Sequence, residues 1–123
     1  MSTKRPIILI CDDSLLIRKK LKDYLMACGE YEVLEAADGQ TSVQVFKQYR
    51  PDLVFLDIVM PDKNGIDALK EMKEVKPDAR FIMLSSSGTK VHLKAAMEAG
   101  ATDFIQKPWE KSQIDHIINN IFK

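Results

Sequence analysis

A chain of 123 residues with 46% apolar and 29% charged residues has the length of one domain and enough apolar side chain to bury a core. Its eighteen basic and eighteen acidic residues cancel, which excludes a whole-molecule field that would draw it to nucleic acid or to an anionic membrane. The two cysteines, Cys11 and Cys28, show no Cys-x-x-Cys spacing and have no His nearby, so neither a disulfide framework nor a zinc site is expected.

From the amino terminus, the basic opening MSTKRP runs into the apolar stretch IILIC, residues 7–11. That stretch is too short for the core of a signal peptide or for a membrane span, and the cytoplasm is the expected location. It reads instead as a first strand. Four similar runs follow: EVLEA (32–36), LVFLD (53–57), RFIML (80–84) and DFIQ (103–106). Several are continuous rather than alternating, as strands buried on both faces are.

Segments with helical spacing separate the strands. Ile17, Leu21 and Leu25 mark the first, Val43 and Phe46 within 40–49 the second, and Ala68, Leu69 and Met72 the third. Leu93, Ala96, Met97 and Gly100 mark the fourth, and Ile114, Ile117, Ile118 and Ile121 give the fifth a full apolar stripe. Gly29 and Gly100 are placed to close helices, and Pro51 and Pro77 follow two others. No repeat, low-complexity tract or linker divides the chain, so one domain over residues 1–123 is expected. Strands alternating with helices predict a (βα)5 parallel sheet covered on both faces, and such sheets bind ligands beyond the carboxyl ends of their strands.

Those ends carry the polar residues of interest. The first strand ends in Asp12 and Asp13, the third in Asp57, the fourth in Ser85 and the fifth in Lys107 and Pro108, while the second offers nothing comparable. Taken singly, each has an ordinary explanation: Asp13 or Ser14 as a helix cap, Asp57 before the turn-rich PDKNG, Ser85 in a Ser-Gly loop, Lys107 as a surface lysine. Together they place three carboxylates and one ammonium at one edge. Like charges so close call for a cation, and an all-oxygen ligand set favours Mg²⁺ over calcium or zinc. Mg²⁺ in turn suits phosphate. Asp57 then reads as a carboxylate nucleophile, with Ser85 donating to one phosphoryl oxygen and Lys107 neutralising another.

The segments ILICDDS, DLVFLDIVMPDKNGIDAL, FIMLSSSG and AGATDFIQKPW resemble, in order and spacing, the signature regions of the receiver domains of two-component response regulators, the CheY-like group. The resemblance implies a flavodoxin-like sheet in the order 2-1-3-4-5. It makes Asp57 the phosphoacceptor, and Asp12, Asp13, Asp57 and the Val59 carbonyl the Mg²⁺ ligands. Ser85 and Phe104 become switch residues and Lys107 the phosphoryl partner, before a cis Pro108. It implies a signalling phosphoacceptor that catalyses its own phosphorylation and slow dephosphorylation, not a conventional enzyme. Three positions depart from the usual pattern: Phe104 stands for a common Tyr, Ser86 for a smaller residue, and Trp109 for a common Phe.

Within that family the stand-alone chemotaxis type is most similar. The expected partners are a sensor histidine kinase and an output protein, such as the flagellar motor switch, on the face of the fourth helix, fifth strand and fifth helix. A monomer without nucleic-acid or membrane contacts is expected. Alternatives are a receiver from a longer regulator or a relay intermediate unrelated to motility. A flavodoxin-like carrier fits poorly because two carboxylates would repel a flavin phosphate, and an aspartyl phosphatase because Val59 stands where it needs a second Asp.

Overall fold

The computed structural model describes residues 5–123, the side chain of Ser87 excepted, so most of the basic opening lies outside the described residues. Five strands, β1 (Ile7–Cys11), β2 (Glu32–Ala36), β3 (Leu53–Asp57), β4 (Arg80–Ser85) and β5 (Asp103–Gln106), alternate with α1 (Leu15–Cys28), α2 (Gly39–Tyr49), α3 (Gly65–Val75), α4 (Leu93–Glu98) and α5 (Lys111–Phe122). The strands are parallel in the order β2-β1-β3-β4-β5. This is the flavodoxin-like α/β arrangement. Among the described residues no helix is long and apolar enough to cross a membrane.

The central strands explain their composition. All five residues of β3 are buried: Leu53 to Leu56 alternate between two separate cores, and Asp57 ends the strand. Leu9, Val54, Leu56, Phe81 and Met83 pack on one face with Phe46 of α2 and Leu69 and Met72 of α3. Ile8, Ile10, Phe55, Ile82 and Leu84 pack on the other with Leu21 and Leu25 of α1 and Ile114, Ile117 and Ile118 of α5. A two-sided strand needs apolar residues at every position.

Side-chain caps fix the helix entries beyond the carboxyl edge. Ser14 accepts from the Ile17 N–H, Asp38 from Thr41 and Asn64 from Asp67. Ser14, rather than Asp13, thus caps α1. The fourth helical segment differs most from its spacing: a 3₁₀ stretch, Ser87–His92, precedes a six-residue α4. Among the described residues there, only Ala96 is fully buried, and Met97, which the pattern assigns to the apolar face, is 38% exposed. Ala99 caps α4, and Gly100 follows at φ +112°, where an L side chain would be strained. Gly29 ends α1 with extended backbone instead.

Close backbone approach requires Gly65. A Cβ there would overlap the carbonyl oxygen of Asp57, and the Gly65 N–H bonds the Ile58 carbonyl at 2.8 Å. This contact seats the start of α3 directly on the end of β3. Gly65→Ala is therefore expected to lower unfolding free energy by about 3 kcal/mol. Gly88→Ala, where a Cβ meets nothing within 4 Å, should stay within about 0.5 kcal/mol of the parent. Urea denaturation of the two variants checks the contrast.

Candidate functional site

The parallel order brings the carboxyl ends of β1, β3, β4 and β5 to one edge, and the predicted residues gather there. Asp12 is fully buried at the end of β1, Asp57 is 5% exposed at the end of β3, and Ser85 is fully buried at the end of β4. Asp13, the next residue after Asp12, is exposed. Carboxylate oxygens of Asp12, Asp13 and Asp57 all lie within 4.8 Å of one another. Lys107, just past β5, reaches both buried acids: its Nζ stands 2.9 Å from Asp12 Oδ2 and 3.3 Å from Asp57 Oδ2. The Lys107–Pro108 peptide is cis.

Backbone groups steady these side chains. The Ser14 N–H donates to Asp12 Oδ1 at 2.9 Å, and the Val59 N–H to Asp57 Oδ1 at 3.3 Å. The Lys107 N–H donates to the Ser85 carbonyl at 2.6 Å, which pins the β5 exit to β4. Two predicted residues stand apart from the acidic cluster. The Ser85 hydroxyl is engaged with its own loop, donating to the Ser86 carbonyl at 3.2 Å. Phe104 lies on the outer surface, 44% exposed, and the Val59 side chain, two residues after Asp57, is 54% exposed.

One supporting pair escaped the sequence reading. The Arg18 guanidinium donates to the Asp12 carbonyl oxygen at 2.8 Å and to Glu35 of β2 at 3.0 Å, and Lys22 approaches Glu35 at 3.5 Å. The second strand therefore contributes after all, through a side chain that holds the acidic loop in place. The only signals were an unpaired charge in EVLEA and a cation one turn into α1, and neither names its partner.

Electrostatically the site is unbalanced. Burial, then the Asp12 carboxylate, push the Asp57 carboxyl from its usual 3.8 up to about 6, although Lys107 and the Val59 N–H pull it down. Burial alone would lower the Lys107 ammonium, but the hydrogen bond it donates to Asp12 and the charge of Asp57 outweigh it, and the net shift is upward. These oxygens, with one ammonium among three carboxylates, form a donor set that suits a hard divalent cation.

A cavity of about 610 Å³ lies at the opposite edge of the sheet, lined by Tyr49, Arg50, Asp52, Lys76 and Arg80 among others. There Arg50 bonds the Val75 carbonyl and Lys76 bonds the Arg50 carbonyl and Asp52. Those cations serve helix ends and ion pairs.

The raised Asp57 value has a signed consequence in metal-free protein. Because the folded state holds the Asp57 proton more tightly than the unfolded chain, stability falls as pH rises from about 4 to about 6, by on the order of 2 kcal/mol. The stabilisation from Lys107 is lost only at alkaline pH, above the ordinary lysine range. Carbon-13 NMR of the Asp57 carboxyl in EDTA should give a midpoint near 6, and a midpoint at the ordinary aspartate value would refute this electrostatic description.

Comparisons with known proteins agree with this geometry. Residues 8–119 match the model of the response regulator receiver domain. The chain is 41% identical to the chemotaxis protein CheY of Thermotoga maritima, over 94% of this chain and 97% of that protein. It is 43% identical to CheY of Bacillus subtilis, over 91% and 93%. Among solved structures, a response regulator receiver domain protein from Clostridium thermocellum superposes with a TM-score of 0.88 at 30% identity, covering 94% of this chain and 93% of that one. With its sheet order and its acidic pocket beside Lys107, the chain belongs to the response regulator receiver domain family.

Proposed function

We propose that Asp57 accepts a phosphoryl group from the phosphohistidine of a sensor kinase, and that the protein relays the resulting signal as a stand-alone regulator. The observation that carries this reading is the nearly buried Asp57 carboxylate, raised toward neutrality and faced by both Asp12 and Lys107. One Asp57 oxygen attacks phosphorus, the O–P bond forms, and the P–N bond breaks with its electron pair leaving on the histidine ring. Lys107, already within 3.3 Å of Asp57, neutralises a phosphoryl oxygen. The Ser85 hydroxyl turns from its loop to donate to another.

Asp12, Asp13 and Asp57, with the Val59 carbonyl, would hold Mg²⁺. The fit rests on oxygens of the three carboxylates standing within 4.8 Å of one another with too little positive charge nearby. When bound, Mg²⁺ would supply positive charge that offsets the negative charge of the carboxylates and of the incoming phosphoryl group.

Output is assigned to the face of α4, β5 and α5. Phe104 is exposed there, beside a hollow of about 240 Å³ lined also by Gln113, His116 and Ile117. Lys90, Lys94 and Lys111 are exposed nearby, which favours a partner surface with acidic residues. Phe104 can turn inward when Ser85 moves, and a partner that prefers one state then shifts the balance. The similarity to chemotaxis proteins over nearly their whole length supports a role in motility, in the cytoplasm, on one receiver domain spanning residues 1–123. A relay unrelated to motility, or a longer regulator carrying this receiver, would use the same chemistry.

Acetyl phosphate with Mg²⁺ should add one phosphoryl group to the wild-type chain, read by intact mass spectrometry. Asp57→Asn and EDTA should each abolish it, and equal labelling in either would sink the mechanism. The decay of the phosphoryl group should be slow, because aliphatic Val59 cannot orient an attacking water. Val59→Asn is expected to speed it several-fold, and identical decay would place control of water access elsewhere.

A further inference from the structure

The exit of β4 holds a hydrogen-bond net of which the proposed chemistry uses only the Ser85 hydroxyl. Ser85 is fully buried, and its hydroxyl points to the Ser86 carbonyl; among the described residues no hydrogen bond joins that hydroxyl to Asp57 or to the Lys107 ammonium. The Thr89 hydroxyl, within the 3₁₀ stretch, accepts from the Ser86 N–H at 2.9 Å. It also stands 3.1 Å from the Ser86 carbonyl oxygen and 3.4 Å from the Ser85 hydroxyl oxygen. Thr89 thus touches the Ser86 peptide on both sides.

The donors outnumber the places for them. The Ser86 carbonyl has two lone pairs, yet it faces the Thr89 N–H at 3.0 Å, the Thr89 hydroxyl at 3.1 Å and the Ser85 hydroxyl at 3.2 Å. Thr89 has one hydroxyl proton, shared among this carbonyl, the Ser86 hydroxyl oxygen at 3.4 Å and the Ser85 oxygen. When it turns to Ser85 it supports that hydroxyl's own donation to the carbonyl. The resting position of Ser85 depends on the Ser86 peptide staying where Thr89 fixes it.

We propose that Thr89 is a positioning residue that holds the Ser85 hydroxyl in its resting orientation, away from Asp57, by clamping the Ser86 peptide. The inference rests on the reading of Asp57 as phosphoacceptor. Charged phosphoryl oxygens offer Ser85 a hydrogen bond about twice as strong as a neutral one, so phosphorylation draws it away. The clamp sets how large that pull must be. Deleting the Thr89 hydroxyl removes hydrogen bonds of the resting arrangement and favours the other.

The test is the affinity of the protein, with Mg²⁺, for beryllofluoride, a mimic of the phosphoryl group, followed by fluorine-19 NMR. Thr89→Val, which keeps the shape and loses the hydroxyl, should bind roughly 3- to 10-fold more tightly than wild type, the range for one net hydrogen bond. Thr89→Ser should match wild type. In a Ser85→Ala background the gain from Thr89→Val should vanish, which a merely local cap would not predict. Thr89→Ala serves as a second deletion should valine disturb the turn. Equal or weaker binding by both deletions, or a gain that persists without the Ser85 hydroxyl, overturns the inference while leaving the phosphoacceptor reading intact. Failure of wild type itself to bind would remove both.

Discussion

One ammonium group, that of Lys107, stands between two buried carboxylates. It bonds Asp12 at 2.9 Å and Asp57 at 3.3 Å, and Asp13 adds a third acid close by. Like unit charges at about 4 Å repel by roughly 4 kcal/mol at the effective dielectric of a protein surface. A single lysine offsets only part of that, and burial, with the Asp12 charge added to it, raises the Asp57 carboxyl to about 6. The rest of the architecture keeps this unfavourable cluster from relaxing. Arg18 and Glu35 hold the Asp12 loop, Gly65 seats α3 on the Asp57 carbonyl, and the Lys107 N–H is tied to Ser85.

The same repulsion gives the site its chemistry. A pocket short of positive charge attracts a divalent cation, and a cation in place makes a buried carboxylate tolerant of a further dianionic group. On the proposed reading, new charge at Asp57 would compete with the Ser86 carbonyl for the Ser85 hydroxyl. Ser85 begins the segment leading to the 3₁₀ turn and α4, where few of the described residues are buried, and its reorientation would act on that region. A weakly packed element is the one that a small change in hydrogen bonding can move.

The strands were legible because a parallel sheet packed on both faces needs continuous apolar runs, and four of the five observed strands coincide with theirs. The fourth extends one residue further, to Ser85, since a buried hydroxyl can end a strand as well as a leucine can. Asp12, Asp57 and Lys107 were legible because polar residues that terminate apolar runs converge wherever parallel strands end. The short α4 was less so: Met97 fits an apolar period, but a six-residue helix turns too little surface to the core to bury it. The Arg18–Glu35 bond and the Thr89 clamp depend on which rotamers meet across a loop or between elements. No spacing in a single sequence encodes that.

The account makes function and stability oppose each other at Asp57, and a paired measurement on Asp57→Asn tests this most directly. Thermal unfolding without metal is compared with Mg²⁺ affinity by calorimetry, both near pH 7.5. The account predicts that removing the charge raises the metal-free melting temperature while weakening Mg²⁺ binding at least about tenfold, the loss of one charged oxygen ligand. A variant that melts lower than wild type without metal, or one that binds Mg²⁺ equally well, would contradict it.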